Sequence, residues 1–303
     1  MKSRAFIYVS LAVDILIAVS KFIAAVFTGS SSMLSEGIHS VIDAISQVLL
    51  IWGVKTSSRQ PDAARPFGYG KELYFWSFVV SLVTFLLGGC ISFYEGIVRF
   101  NQPDFSGNPN WNYSILGIAF VFTTISMYTS YKAFNKQRRE ASFWKAVTQS
   151  KDPSTFIVLL GDMGDMICLV VAFLGVYLGR LFHNPMYDGI ASLIIGLILI
   201  AISLLLLNES KSLLMGETIG RKVLREIIAL TEADEAITKV KKHSSMYMAP
   251  EEVLLQMFVV FKDGLTTHDI TDAIERITKA IQSQFPRIKH IFIEPVSERK
   301  KTI

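Results

Sequence analysis

Six stretches of the chain are almost continuously apolar, and polar residues return in blocks between them and after the last. They run approximately Phe6 to Phe27, Met33 to Trp52, Tyr74 to Val98, Tyr113 to Tyr131, Phe156 to Leu178 and Tyr187 to Leu207. A hydrocarbon core of about 30 Å needs roughly 20 mostly apolar residues per helix, so each stretch is long enough to span a bilayer. The first follows Lys2 and Arg4, as a secretory signal would, yet it is long, contains Asp14 and Lys21, and lacks a convincing small-x-small cleavage site. It is expected to be retained.

After Leu207 charged residues occur throughout and apolar residues return in short periodic sets. Arg221 to Ala233 reads as a helix, Ala236 to His243 and Val253 to Lys262 as strands, His268 to Phe285 as a helix and His290 to Ile293 as a last strand. In the second of these helices Ile270, Ile274, Ile277 and Ile281 repeat at helical spacing, with Thr267 as the expected N-cap and Pro286 just past the end. The order αββαβ suits a small two-layer α+β module. The expected architecture is therefore an α-helical membrane protein of six transmembrane helices over residues 1–210, followed by a cytoplasmic domain over residues 211–303.

Composition agrees with a membrane chain. Of 303 residues, 51% are hydrophobic and 18% charged, against about 25% charged in soluble domains. Cys90 and Cys168 both lie in apolar segments, which leaves neither a disulfide framework nor a Cys-rich zinc module. A net charge of +4 is too small to argue for nucleic acid. The distribution of basic residues says more. Lys55, Arg59, Arg65 and Lys71 follow the second span, and Lys132, Lys136, Arg138, Arg139, Lys145 and Lys151 follow the fourth, whereas the opposite loops are poor in them. Lys and Arg near helix ends are held on the cytoplasmic side, so both termini are expected inside.

Ionisable residues within a span are costly and usually face the bundle interior. The second span has the densest set: Glu36, His39 and Asp43 at i, i+3, i+7, with Gln47 one turn on, along one face. The fifth adds Asp162 and Asp165, and neither span contains Lys or Arg. At about 1.5 Å per residue, Asp43 lies roughly 15 Å deep from one surface and Asp162 roughly 12 Å from the other. Both reach the middle of the core. A His and three carboxylates there require a cation or protons, and imidazole plus carboxylate suits Zn²⁺, Mn²⁺, Fe²⁺, Co²⁺ or Ni²⁺ better than Cu⁺. The candidate metal ligands are His39, Asp43, Asp162 and Asp165. Asp162 and Asp165 could alternatively be packing carboxylates bonded to a Ser, Thr or Tyr of a neighbouring span. Glu36, near the outer end, is a candidate gate or proton acceptor. Asp14 with Lys21 reads as a structural ion pair, and Glu95 and Asp188 as structural residues near span ends.

The segment Ser30-Ser-Ser-Met-Leu-Ser-Glu-Gly-Ile-His-Ser-Val-Ile-Asp43 resembles the second-helix signature of the cation diffusion facilitator family. Further resemblances are Arg65-Pro-Phe-Gly-Tyr-Gly-Lys71, Ser92-Phe-Tyr-Glu-Gly96, Tyr187-Asp-Gly-Ile-Ala-Ser192 and Ser212-Leu-Leu-Met-Gly-Glu217. The resemblance implies a homodimeric antiporter that moves a divalent metal, most often zinc, out of the cytoplasm against protons, with a ferredoxin-like C-terminal domain that dimerises. It places the transport site on a His-or-Asp-x-x-x-Asp pair of the second helix, matched by His39 and Asp43, and on a similar pair of the fifth. There the chain reads Gly161-Asp162-Met-Gly-Asp165, so Gly161 stands where the family has His if Asp165 is the family's aspartate, and Asp162 is a substitute ligand. Fewer nitrogen ligands widen selectivity towards Mn²⁺ or Fe²⁺. Two accessory sites of zinc-transporting members are missing: Arg65 and Tyr69 replace loop histidines, and Glu294-Pro-Val296 replaces a terminal His-x-Asp. His243, His268 and His290 read as solvated surface histidines.

The expected function is metal efflux by alternating access, with Zn²⁺ or another of Mn²⁺, Fe²⁺, Co²⁺, Cd²⁺ and Ni²⁺ as cargo and protons as the competing ligand. No prosthetic group and no enzymatic activity are expected, because no nucleophile with an adjacent base appears. The alternatives are a cation channel and a non-transporting membrane metal sensor or scaffold. The absence of long extensions points to a bacterial cytoplasmic membrane.

Overall fold

A computed structural model describes residues 5–28, 31–101, 109–138, 151–184 and 186–298. The chain divides into two compact units, Met1–Ser58 with Glu72–Lys211, and Arg59–Lys71 with Ser212–Ile303.

The first unit is helical: α1 (Ala5–Thr28), α2 (Ser31–Ser57), α3 (Lys71–Val83), α4 (Ile91–Asn101), α5 (Pro109–Arg138), α6 (Pro153–Leu181) and α7 (Met186–Met215). A π-helical segment, Thr84–Cys90, joins α3 to α4. Among the described residues, four helices are long and apolar enough to cross a membrane: Phe6–Ile23, Lys71–Asn101, Pro153–Leu181 and Met186–Met215. The spans expected at Met33 to Trp52 and Tyr113 to Tyr131 are helical as well, within α2 and α5.

Helical periodicity sorts these side chains. In α2, Val41, Ile45, Val48 and Trp52 are exposed on one stripe, while Ser40, Ser46 and Leu50 are buried on the other. Exposed apolar stripes of this kind suit lipid. α1 packs against α2, α5 and α6, so its polar stripe of Ser10, Asp14 and Lys21 has no route to lipid except through its neighbours. The N-terminal half of α6 is the most deeply enclosed stretch, with Pro153 through Leu160 buried. It begins at Asp152, whose carboxylate accepts from the Ser154 N–H, followed by Pro153 at a position where a missing N–H does no harm. α4 and α7 meet at glycines: a Cβ on Gly96 would lie 2.6 Å from the Leu193 nitrogen, and one on Gly196 would lie 2.6 Å from Phe93 Cα. This explains Gly in two places where bulk would force the helices apart.

The second unit follows the expected order: α8 (Arg221–Glu232), β1 (Ile237–Ala249), β2 (Glu252–Phe261), α9 (Thr267–Gln284) and β3 (Ile288–Pro295). The sheet order is β1-β2-β3, antiparallel between β1 and β2 and parallel between β2 and β3. Alternate β2 residues Val253, Leu255, Met257 and Val259 are buried, and Ile227 of α8 and Ala273, Ile277 and Ile281 of α9 are buried with them. β1 runs six residues past the expected His243, because its pairing with β2 continues through Ser244 and Ser245 to Ala249 opposite Glu252. The N-cap of α9 is Thr266 rather than Thr267. Thr266 and Asp269 bond each other's backbone N–H groups, a capping box that Thr267 could not close because Ile270 stands three residues on.

The loop Arg59–Lys71 belongs to this unit. The Phe67 ring meets His290 edge-on at 5.3 Å, and Gly70 lies so close to the Met248 carbonyl that a Cβ would fall 2.6 Å from it. His290 is half-buried against Phe67, whereas His243 and His268 are exposed. Within the loop, Tyr69 donates its hydroxyl to Asp62 and Arg65 lies 4.5 Å above the Tyr69 ring.

Candidate metal site

Asp43 of α2 and Asp165 of α6 come together around α1. Both line a cavity of about 130 Å³ and a smaller one of about 60 Å³, and Asp14 of α1 lines the same two. The helix faces explain this meeting: Asp43 lies on the buried stripe of α2, and Asp14 on the inward stripe of α1. The larger cavity continues past Ser92 and Glu95 of α4 and Thr123 of α5, and the smaller past Ser46, Gln47 and Thr84. Each therefore runs toward a different end of the bundle from the shared carboxylates.

Asp162 behaves differently. It is 5% exposed, and both carboxylate oxygens are engaged, by Ser126 Oγ at 2.8 Å and Ser130 Oγ at 2.6 Å. Both serines come from α5, one turn apart, so they reach the same carboxylate side by side. Asp162 borders only the smaller cavity. Nearby, Gln47 donates to Ser10 Oγ at 3.1 Å. Gln47 Oε1 and Ser46 Oγ are buried without a protein partner among the described residues, both at the smaller cavity. These are hard oxygen donors of the kind that replace water around an entering cation.

The side chains of His39 and Glu36 lie outside the described residues, although both positions fall within α2. Among the described residues, no three His, Cys, Asp or Glu side chains are gathered tightly enough to hold a metal ion.

Two residues read from the sequence as an ion pair line the same cavity. Asp14 shares both cavities with Asp43 and Asp165, and Lys21, 8% exposed, lines the larger one. No basic residue lies in the second or fifth span, but the first contributes one to the same cavity. The signal was present as seven-residue spacing on one helical face; only the neighbours of α1 reveal that this face is central. Glu95 also lines the larger cavity, while Asp188 accepts from Arg99 at 3.2 Å.

Residues 7–215 match the profile of the cation efflux transmembrane domain. The chain belongs to the cation diffusion facilitator family. It is a multi-pass membrane protein of that family. A relative named proton-coupled zinc antiporter SLC30A9, mitochondrial, from Xenopus laevis is 32% identical over 82% of this chain and 44% of its own length. Metal tolerance protein C4 of Arabidopsis thaliana is 25% identical over 75% of this chain and 49% of its own. The manganese efflux system protein MneP of Bacillus subtilis is 22% identical over 96% of this chain and 95% of its own. This cation diffusion facilitator spans less than half the length of the mitochondrial relatives it matches.

Proposed function

We propose that this cation diffusion facilitator exports a divalent first-row metal ion, zinc foremost, in exchange for protons by alternating access. The observation that carries the reading is the meeting of Asp43 and Asp165 between two cavities that run toward opposite ends of the helical unit. The names of the SLC30A9 and MneP relatives support zinc and manganese as the cargo classes.

In this mechanism the ion enters past Gln47 and Ser46, whose oxygens stand in for lost water, and reaches Asp43, Asp165 and His39. Asp14 lines the same two cavities and lies along the ion's route. Asp162, held by its serines, joins the coordination only if it exchanges those bonds. Ligation requires the groups to be deprotonated, so metal and protons compete for one site. Rocking of the helices then opens the larger cavity and protons displace the ion, with Glu36 as the proposed gate or proton acceptor. We assign the loop between α2 and α3 and the end of α5 to the cytoplasm from their Lys and Arg content. Six spans, both termini inside, a bacterial cytoplasmic membrane, and a ferredoxin-like C-terminal domain that forms a homodimer belong to the same reading.

The test is metal flux in proteoliposomes over Zn²⁺, Mn²⁺, Fe²⁺, Co²⁺ and Cd²⁺. An inward proton gradient opposing metal export accelerates flux, and Asp43→Ala abolishes it. Flux indifferent to the gradient would indicate a channel, and binding without flux would indicate a sensor or scaffold. Equal flux by Asp43→Ala would remove the site assignment.

A further inference from the structure

The C-terminal unit contains a cleft that transport does not use. It lies between α8 and β1, has a volume of about 650 Å³, and is lined by those two elements and by the segment that joins α7 to α8. The joining segment is tacked along β1: the Tyr247 N–H donates to the Glu217 carbonyl at 3.0 Å, and the Ile219 N–H to Ser245 Oγ at 3.3 Å. A concavity of this size suits a small organic molecule.

The charge of the cleft is of one sign. Arg221 and Arg225, one turn apart on α8, line it together with His243 of β1, and among the described residues no Asp or Glu does. Glu217 and Glu226, the carboxylates nearest in the chain, lie outside the lining. Elsewhere in this unit guanidinium meets carboxylate: Arg276 bonds Asp234, and Arg287 bonds Glu251. At the cleft, Arg225 uses Nε on the Arg221 carbonyl at 3.4 Å, and its terminal nitrogens remain as donors. Ser245 Oγ accepts from Ile219, which leaves its O–H to donate. Ile219 is buried and Leu224 and Ile228 are half-buried, so an apolar floor adjoins the cationic rim.

We propose that this cleft binds a phosphate monoester, its phosphoryl group held by Arg221, Arg225, His243 and the Ser245 hydroxyl and its organic body laid on Ile219, Leu224 and Ile228. A phosphate monoester carries about two negative charges near neutral pH and three terminal oxygens. That matches a pair of planar guanidinium forks better than a singly charged carboxylate or sulfonate does. Because Ile219 belongs to the segment leading from α7, an occupant also ties that segment to α8 and β1. A soluble phosphorylated molecule and the headgroup of phosphatidic acid present the same chemistry, and the two sources are separable by experiment. The proposal is independent of the metal site.

The test uses the purified full-length chain. Hydrogen exchange and titration calorimetry are read against phenyl phosphate in detergent, and hydrogen exchange again in phosphatidylcholine nanodiscs with or without phosphatidic acid. Saturable protection of residues 218–225 and 243–245 is expected, with benzenesulfonate, a similar body of lower charge, binding at least about tenfold more weakly than phenyl phosphate. Arg221→Gln with Arg225→Gln is expected to weaken binding by about a hundredfold. Both side chains are exposed, so this variant keeps the wild-type melting curve. Lys222→Gln removes a charge one residue along but outside the lining, and is expected to leave binding within about twofold. Protection by phenyl phosphate assigns the site to a soluble monoester, and protection by phosphatidic acid alone assigns it to a lipid headgroup; loss of either in the double variant supports the proposal. Protection by neither probe overturns it. So does equal weakening by Lys222→Gln, which would reduce the binding to diffuse surface charge.

Discussion

Replacing Asp162 by Asn separates a carboxylate that holds helices together from one that holds metal. In the structure its oxygens accept 2.8 and 2.6 Å hydrogen bonds from Ser126 and Ser130. Hydrogen bonds to a charged group contribute about 1.5–3 kcal/mol each in proteins, while polar contacts between membrane helices average nearer 0.6 kcal/mol. Ser130 can also donate to the Ser126 and Met127 carbonyls, which softens the loss. Two weakened bonds therefore predict a destabilisation of about 1–3 kcal/mol for Asp162→Asn, and a similar figure for Ser126→Ala with Ser130→Ala. Thermal unfolding in detergent reads this directly. Equilibrium Zn²⁺ or Mn²⁺ binding at temperatures where each variant is folded supplies the second axis. Asp162→Asn keeps affinity within about threefold, less than 1 kcal/mol, whereas Asp165→Asn loses it by about a hundredfold or more with a smaller effect on unfolding. A folded Asp162→Asn variant that no longer binds metal would refute the division of labour and make Asp162 a ligand.

Other consequences are as specific. Gly96→Ala or Gly196→Ala pushes a methyl into the backbone of the facing helix and is expected to lower stability by about 1–3 kcal/mol; an unchanged melting curve would show that α4 and α7 are less closely packed than described. Thr266→Ala removes half of the capping box of α9 and is expected to destabilise the C-terminal unit by about 1 kcal/mol, read by hydrogen exchange in that helix. Arg276 bonds Asp234 through two nitrogens. Partial burial pushes the Asp234 carboxyl up, but the Arg276 hydrogen bonds and charge, with the Ala236 N–H, outweigh it and hold the group below the usual carboxylate range. Its stabilising effect is therefore present above about pH 4 and is lost as pH falls through the depressed folded value. Arg276→Ala should lower stability at pH 7, and a deficit that persists undiminished in acid would contradict the linkage.

Much of this molecule could be read along the chain because membrane and sheet physics act locally. Length and apolarity mark spans at one level, as in Pro153–Leu181 and Met186–Met215, and period-two burial marks β2 at another. Spacing alone put Asp43 on the polar face of α2. The sequence was less informative about which helix faces meet, so the place of Asp14 in the cavities of Asp43 and Asp165 was not legible in it. Local spacing also failed at the start of α9, where Thr266 and Thr267 look alike until the Asp269 side chain closes on one of them.

By itself the sequence determined that the chain has apolar helices, a polar αββαβ tail, and carboxylates on two membrane segments that no basic residue of those segments balances. The tertiary structure decided which charges meet. Asp162 and Asp165 are three residues apart in the chain, yet one is turned to the serines of α5 and the other to the cavities shared with Asp43. Asp14 and Lys21 share one face of α1, and the packing of α1 against α2, α5 and α6 sets that face beside Asp43 and Asp165. The physical reason is that periodicity fixes the face of a helix a side chain occupies, whereas the dielectric and the partners on that face are set by neighbouring helices distant in sequence.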